Sequence, residues 1–258
     1  MKTRTGLLIA VIALALAVSP ACKKDSTSPN GGESGLEFSG TITQSGAPLA
    51  GVTVYLSWGA NHVATTTSDG KFSFKGLANG NYVVTPVRVN TSFLPSYVEV
   101  SSTRKDLSFS ASTPASTGTV VGKIGLDFSA KNQDGNMVSL WGQHGKVVLV
   151  DFTADWCVPC REKAQTANAF YNQYKDKGFV YILIVIEGSP SNWASTYGLT
   201  FPVLDDDKGR TGQPIYNQWK TSGSIPLPHV LGRNLNIGFK KEGAPKEEYE
   251  AWIKKFLY

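Results

Sequence analysis

A predominantly apolar run, VVLVDFT at residues 147–153, leads within four residues to a pair of cysteines, Cys157 and Cys160. A continuous run of this length predicts a strand that is buried on both faces. Pro159 and the apolar spacing that follows predict a helix over residues 157–177. A strand that leads directly into a helix places both cysteines at the helix N-terminus, which favours an α/β fold.

Two cysteines three residues apart are typical of half a zinc site or of a dithiol that opens and closes. Zinc needs two further ligands at structural spacing, whereas Cys22 lies near the N-terminus and His144 and His229 stand alone. We therefore expect no metal and a redox-active disulfide. The helix N-terminus would stabilise a thiolate at Cys157, and Cys160, one turn further on, would resolve a mixed disulfide.

Strand and helix patterns alternate along residues 120–258. A second buried strand is predicted at residues 179–186, a pair of strands at 229–231 and 236–240, and a closing helix at 245–257. This order predicts a central sheet covered by helices.

The stretch VVLVDFTADWCVPC resembles the active-site region of thioredoxins and of the TlpA-like thiol–disulfide oxidoreductases. The resemblance covers residues 120–258 and implies an α/β thioredoxin fold for this C-terminal part. It also implies an enzyme that needs no cofactor, in which Cys157 and Cys160 form the redox disulfide.

The resemblance assigns roles to other residues. Asp151 matches the buried acid that exchanges a proton with the resolving cysteine, and Trp156 matches the tryptophan beside the nucleophile, where it would contact substrate. The sequence IPLPHV at residues 225–230 resembles the family's cis-proline loop. This implies that Pro228 is the cis residue and that the backbone of Leu227 binds substrate as an added strand.

The sequence departs from the family pattern at two positions near these residues. Thr153 stands where many relatives have tryptophan, and His229 follows Pro228 where threonine is common. Near the dithiol, His229 would either stabilise a thiolate or fill space, and the sequence leaves both interpretations open.

Residues 36–111 show short alternating runs separated by turns rich in Gly, Asp and Asn, which predicts an antiparallel, all-β domain. The segments GTITQSGAPLAGVTVYL and TTTSDGKFSFKGLANGNYVV resemble carboxypeptidase regulatory-like β-sandwich domains. The resemblance implies a fold and no chemistry. Residues 112–119, STPASTGT, predict a linker to the domain at 120–258, so the chain is multidomain.

The N-terminus predicts a signal peptide over residues 1–21. Lys2 and Arg4 precede an apolar run at residues 6–18, which is too short to span a bilayer as a stable helix. The sequence therefore predicts export.

Cys22 follows this segment and resembles the lipidation site of bacterial lipoproteins. Cleavage after Ala21 by ordinary signal peptidase is the alternative, but it would leave an odd exposed thiol. Residues 22–35 are rich in Ser, Gly, Asn and charge and predict a flexible tether. Lipid on Cys22 would hold the protein on the inner or outer membrane, facing the periplasm.

The formal net charge of +5 is scattered along the chain, without a basic run that contains interleaved aromatic residues. This pattern predicts no nucleic-acid partner.

Disulfides persist in exported compartments, so the predicted function is reduction of disulfides in exported proteins. Clients implied by the resemblance are exported thiol proteins, including apocytochrome c, and the implied electron donor is a membrane thiol protein. The first alternative is a peroxiredoxin-like peroxidase, suggested by residues 198–209, although Ala154 stands where the threonine of such enzymes is expected. The second is a non-enzymatic surface or scaffold lipoprotein. The direction of electron flow stays open.

Overall fold

The computed structural model describes residues 35–57, 62–206 and 214–258. The predicted signal peptide, the predicted lipidation site Cys22 and the predicted tether up to residue 34 lie outside the described residues. Within these ranges, we find no helix that is both long and apolar enough to span a membrane.

Alternating burial explains the N-terminal strands. In the segment Lys71–Leu77, for example, Phe72 and Phe74 point into a shared core, whereas Ser73 between them and the lysines on either side are exposed. The strands of this domain are β1 (Leu36–Gln44), β2 (Ala47–Pro48), β3 (Thr53–Ser57), β4 (His62–Thr65), β5 (Lys71–Leu77), β6 (Tyr82–Val87), β7 (Ser92–Leu94), β8 (Val98–Val100) and β9 (Arg104–Ser112).

These strands form two sheets that enclose one apolar core. One sheet has the order β2-β1-β9-β7, with β5 also paired to β1, and the other has the order β4-β3-β6-β8. The β-sandwich prediction is confirmed. The expectation of a purely antiparallel domain is wrong, because β1 and β9 pair in parallel. The first and last strands are far apart in sequence, so no hairpin imposes an antiparallel pairing on them.

The remaining residues form the thioredoxin-like domain, in which strands alternate with helices. Its elements are β10 (Thr117–Gly118), β11 (Ile124–Gly125), β12 (Ser129–Lys131), β13 (Met137–Ser139), β14 (Val147–Ala154), α1 (Val158–Tyr174), β15 (Phe179–Glu187), α2 (Pro190–Tyr197), β16 (Val203–Asp205), α3 (Ile215–Trp219), β17 (His229–Leu231), β18 (Ile237–Lys240) and α4 (Lys246–Leu257).

The central sheet has the order β16-β15-β14-β17-β18. β14, β15 and β16 run parallel, and β17 and β18 are antiparallel to their neighbours. Every residue of β14 is buried, as the apolar run predicts. Side chains of α1, α2 and α4 cover one face of the sheet, and α3 with residues 124–140 covers the other, so the fold is the predicted sheet between helical layers.

The turn between β17 and β18 inserts two polar side chains into the sandwich domain. Arg233, only 6% exposed, donates to the Ser57 hydroxyl (3.3 Å) and to the Gly145 carbonyl oxygen (2.9 Å), and its guanidinium lies 4.9 Å from the centre of the Tyr55 ring. Asn234 is also buried and hydrogen-bonds the sandwich backbone. This turn therefore joins the two domains into one compact unit.

The C-terminal end of α4 provides a second contact with the sandwich. Phe256 meets Tyr97 edge to face, with ring centres 5.3 Å apart, and Lys255 pairs with Glu99 at 2.5 Å. Both contacts lie near the start of β14, whereas the cysteine pair follows its end. Eight extended residues separate these ends by about 26 Å, so the sandwich and the dithiol occupy opposite ends of the sheet.

Candidate active site

Cys157 and Cys160 form a disulfide at the N-terminus of α1, with their Cα atoms 5.3 Å apart. Cys157 is the N-cap residue of the helix, and its Sγ accepts a hydrogen bond of 3.3 Å from the backbone N–H of Cys160. Pro159 occupies the first turn, where its missing N–H leaves no hydrogen bond unmade. Free N–H groups and the helix dipole at this position favour negative charge on Cys157 once the disulfide is open.

Both cysteines are nearly buried, at 3% and 4% exposure, but the residues beside them are not. Trp156 is 57% exposed and Val158 is 52% exposed, so two apolar side chains flank Cys157 at the surface. The Trp156 indole N–H donates to Glu187 Oε2 at 2.9 Å, which fixes the orientation of the ring. An exposed, oriented aromatic side chain of this kind is suited to contact with a protein partner.

Asp155 holds the loop between β14 and the dithiol in place. Its Oδ1 accepts a hydrogen bond of 2.6 Å from the Trp193 indole N–H of α2, and its backbone N–H donates to the Glu187 carbonyl oxygen at 3.0 Å. Arg161 of α1 donates to the Asp155 carbonyl oxygen. Gly188 has φ +133°, and a Cβ at that residue would lie 2.3 Å from Asp155 Oδ1, so this close approach requires glycine.

Asp151 is 1% exposed and lies behind the dithiol in β14. Its Oδ1 accepts a hydrogen bond of 3.0 Å from the Phe152 N–H, and its Oδ2 lies 2.5 Å from the ammonium nitrogen of Lys163. Asp151 and Cys160 line the same small cavity. The acid assigned from the resemblance therefore shares a cavity with Cys160, and it has a cationic partner that the sequence analysis did not identify.

The assignment of Pro228 as the cis residue is wrong. The cis peptide bond of this loop joins Ile225 to Pro226, and Pro226 lines the cavity beside Cys160. Pro228 leads directly into β17. Its carbonyl oxygen accepts a hydrogen bond from the Lys241 N–H at 3.4 Å, which pairs it with the neighbouring chain segment.

The side chain of Leu227, whose backbone the resemblance assigns to substrate binding, does not face the dithiol. It is fully buried in the core on the face of the sheet opposite the cysteines, because the loop has already turned into the sheet at this point. The backbone that faces the dithiol belongs to Ile225, whose carbonyl oxygen lies 3.8 Å from Cys157 Sγ. A reduced Cys157 thiol would be able to donate to this oxygen.

His229 packs on the face of the sheet opposite the dithiol, against the rings of Trp219 (5.0 Å between centres) and Phe152 (5.9 Å). Burial lowers the pKa of His229 to about 3, and the charge of Lys240 adds to this effect. A neutral histidine that lies behind the sheet supports the space-filling interpretation.

Several residues around the site were not identified from the sequence. Lys163 lies one helical turn after Cys160 and on the same face, so its spacing was the available signal. Glu187, Trp193 and Ile225 come from other elements, and only tertiary structure brings them to the dithiol. Throughout the described residues, no cluster of three or more His, Cys, Asp or Glu side chains could hold a metal ion.

Comparison with known proteins identifies a matching family for each of the two domains. Residues 37–109 match the carboxypeptidase regulatory-like domain, and residues 121–231 match the AhpC/TSA family. The chain is 31% identical over 141 residues to the thiol-disulfide oxidoreductase ResA of Bacillus thuringiensis subsp. konkukian, a match that covers 52% of this chain and 78% of that protein. The chain belongs to the thioredoxin-like thiol–disulfide oxidoreductases.

Two further similarities involve the same domain of this oxidoreductase. The thioredoxin-like protein YneN of Bacillus subtilis is 38% identical over 93 residues, which cover 34% of this chain and 55% of that protein. A solved structure of a thioredoxin-family thiol:disulfide interchange protein from Chlorobium tepidum has a TM-score of 0.45 and 24% identity, and the match covers 51% of this chain and 94% of that one.

Proposed function

We propose that this oxidoreductase is exported, is tethered to a membrane by lipid on Cys22, and reduces disulfides of exported proteins. The observation that carries the redox proposal is the disulfide at the N-terminus of α1, with Cys157 as the N-cap residue and Cys160 beside the buried Asp151. The proposals of export and tethering rest on the sequence of residues 1–22.

In this proposal the reduced Cys157 thiolate attacks one sulfur of a client disulfide, and the other client sulfur leaves as a thiolate. Cys160 then gives its proton to the Asp151 carboxylate, and its sulfur attacks Cys157 Sγ. The bond between Cys157 and the client breaks, and the client departs with two electrons. The enzyme is left with its Cys157–Cys160 disulfide.

The client would dock on the exposed surface around the dithiol. Trp156 offers an apolar contact, and the backbone at Ile225 is placed to pair with an extended client segment, the role first assigned to Leu227. We expect the clients to be exported thiol proteins, with apocytochrome c as one candidate. A membrane thiol protein would restore the dithiol after each cycle.

Reduction of insulin disulfides by the full chain, with dithiothreitol as electron donor, tests the chemistry. Cys157→Ser should abolish turnover, because it removes the nucleophile. Cys160→Ser should form a mixed disulfide that persists, because the resolving thiol is gone. Turnover that survives Cys157→Ser would refute the proposal. A wild-type chain that shows no turnover would instead favour the non-enzymatic scaffold.

The reduction potential of the Cys157–Cys160 pair tests the direction of electron flow. A potential near that of thioredoxin, about −270 mV, would support a reductant. A potential near about −120 mV, as in strong periplasmic oxidants, would make the protein a disulfide donor and overturn the reductase proposal.

Tethering has its own test. Cells that express the full chain and grow with a labelled fatty acid should incorporate label into the protein, which should sediment with membranes. Cys22→Ser should abolish labelling and release the protein into the soluble fraction. An unlabelled wild-type protein would instead indicate cleavage after Ala21.

The match to the AhpC/TSA family favours one second candidate, a peroxidase. Against it, Ala154 occupies the position at which such enzymes place threonine before the reactive cysteine. Consumption of hydrogen peroxide at catalytic amounts of protein separates the two functions. We expect little turnover, and rapid peroxide reduction that depends on Cys157 would favour the peroxidase.

A further inference from the structure

A buried charged cluster lies directly behind Cys160, where α1 and α4 cover the sheet. Lys163 approaches Asp151 to 2.5 Å, with 17% of the lysine side chain and 1% of the aspartate side chain exposed. The same ammonium nitrogen lies 4.3 Å from the centre of the Tyr249 ring of α4. An ion pair that is withdrawn from solvent to this degree is screened little by water or salt.

The other groups that face Asp151 are neutral. The Tyr181 hydroxyl of β15 donates to Asp151 Oδ2 at 3.3 Å. Burial raises the pKa of Tyr181 and of Tyr249, and the negative charge of Asp151 adds to this effect. Among the described residues, Lys163 is the one cation recorded in contact with the carboxylate. The charge of Asp151 is therefore compensated by one lysine.

A small cavity connects this pair to the dithiol. The cavity is lined by Asp151, Lys163, Cys160 and Thr153, among others. The centre of a water molecule can move within about 10 Å³ of it, so the cavity has room for about one water. The Thr153 hydroxyl is buried and has no hydrogen-bond partner among the described protein atoms. The lining of the cavity is mainly apolar, and Asp151 and Cys160 share this small space with room for about one water.

We propose that Lys163 is a positioning residue that sets how readily Asp151 accepts the proton of Cys160, and so controls the resolving step. The inference rests on the proposed dithiol chemistry. Among the described residues, the Lys163 ammonium group contacts Asp151 and the Tyr249 ring and neither sulfur atom. Its ammonium group holds the Asp151 carboxylate in place and balances its charge. Proton transfer converts the Cys160 thiol and the carboxylate to a thiolate and a carboxylic acid, and the thiolate then displaces the client from Cys157.

The consequence of losing the lysine follows from electrostatics. A buried carboxylate without its cation favours the protonated form, and a protonated Asp151 cannot accept the proton of Cys160. The first attack by Cys157 does not use this transfer. Loss of Lys163 should therefore slow the second step and leave the first step intact.

The test uses the full chain in single turnover with insulin, quenched in acid and alkylated, so that mass spectrometry follows the mixed disulfide on Cys157. For Lys163→Met at neutral pH, we expect a mixed-disulfide lifetime at least tenfold longer than in the wild type. The pH profile of the resolving rate should also differ from that of the wild type, because a compensating charge is lost. Lys163→Arg keeps the charge and should resolve nearly as the wild type does. Lys175→Met changes an exposed lysine at the other end of α1 and is the matched control.

Asp151→Asn and the double variant Asp151→Asn/Lys163→Met separate this role from a purely structural one, and they remain informative where Lys163→Met alone does not fold. If the lysine acts through Asp151, the double variant should resolve as slowly as Asp151→Asn and no slower. Additive losses, or an unchanged lifetime and pH profile in Lys163→Met, would overturn the inference. A wild-type protein that forms no mixed disulfide on Cys157 would instead refute the proposed function.

Discussion

Asn234 of the thioredoxin-like domain donates a hydrogen bond of 2.9 Å from its side-chain amide to the carbonyl oxygen of Thr91 in the sandwich. The side-chain oxygen of the same residue accepts a hydrogen bond of 3.0 Å from the Arg88 N–H. Asn234 is only 2% exposed, so neither bond is readily replaced by water. One side chain thus satisfies a donor and an acceptor of the other domain.

Asn234→Ala should destabilise the whole described unit. The substitution leaves the Arg88 N–H and the Thr91 carbonyl without their partner, which costs about 1–3 kcal/mol for each group that stays buried and unpaired. Chemical denaturation of the full chain measures the loss. Asn192→Ala, at an exposed residue of α2, is the matched control and should change stability by less than about 0.5 kcal/mol. Equal effects of the two substitutions would contradict this account of the interface.

Gly188→Ala should disturb the active-site loop. The new methyl group would collide with the Asp155 carboxylate, and φ is positive, so we expect a loss of about 2–4 kcal/mol and slower insulin reduction. Gly243→Ala is the control, since φ there is +61° with nothing near the added carbon, and should cost only about 1–2 kcal/mol. Thermal unfolding and insulin turnover, measured together, separate collision from backbone strain.

His229 should make the protein sensitive to acid. Its pKa is about 3 in the folded state and about 6.5 when unfolded, so the unfolded chain binds the extra proton between these values. The contribution of His229 to stability is complete above pH 6.5 and falls by about 1.4 kcal/mol per unit as pH drops toward 3.

Replacing His229 tests whether this residue lowers the stability of the protein in acid. Between pH 6.5 and 4.5, His229→Leu should lose less stability than the wild type by about 2–3 kcal/mol, as measured by denaturant unfolding at each pH. His62→Gln, at an exposed histidine of β4, should follow the wild type. A His229→Leu variant that remains as sensitive to acid as the wild type would assign the effect to other groups.

Trp156→Ala should lower the rate of disulfide reduction more for protein substrates than for small disulfides. We expect kcat/KM for insulin to fall about tenfold, because truncation of a central aromatic contact costs about 1–2 kcal/mol. Turnover of oxidised glutathione, which offers the indole much less apolar surface than a protein does, should change less. Val63→Ala, at a side chain of the sandwich that is also 57% exposed, is the control. Parallel losses on both substrates would mean that Trp156 acts on the sulfur chemistry itself.

Most strands and helices near the dithiol could be predicted from local sequence patterns. The burial of β14, the start of α1 at the cysteines and the pairing of β17 with β18 all follow from patterns within a few residues. The N-cap at Ser189 follows a similar local rule, because its hydroxyl accepts a hydrogen bond from the Asn192 N–H at 3.4 Å and Pro190 occupies the first turn.

Features that depend on distant parts of the chain were not predictable in this way. Two prolines stand in the segment 225–228, and only the surrounding structure decides that Pro226 has the cis bond. The sequence around Lys163 is also typical of a surface lysine. Only the packing of β14 and α4 against its helix brings Asp151 and Tyr249 into contact with it. The parallel pairing of β1 with β9, and the insertion of Arg233 and Asn234 into the sandwich, likewise join residues far apart in sequence.

The opposite placement of the sandwich and the dithiol has an evolutionary consequence. Some substitutions would change the contacts of the sandwich with Arg233 and Asn234. These substitutions lie far from the exposed surface around Trp156, where clients would bind. The reverse holds for substitutions around the dithiol. If clients dock around Trp156, selection can alter client choice and domain attachment as two separate traits.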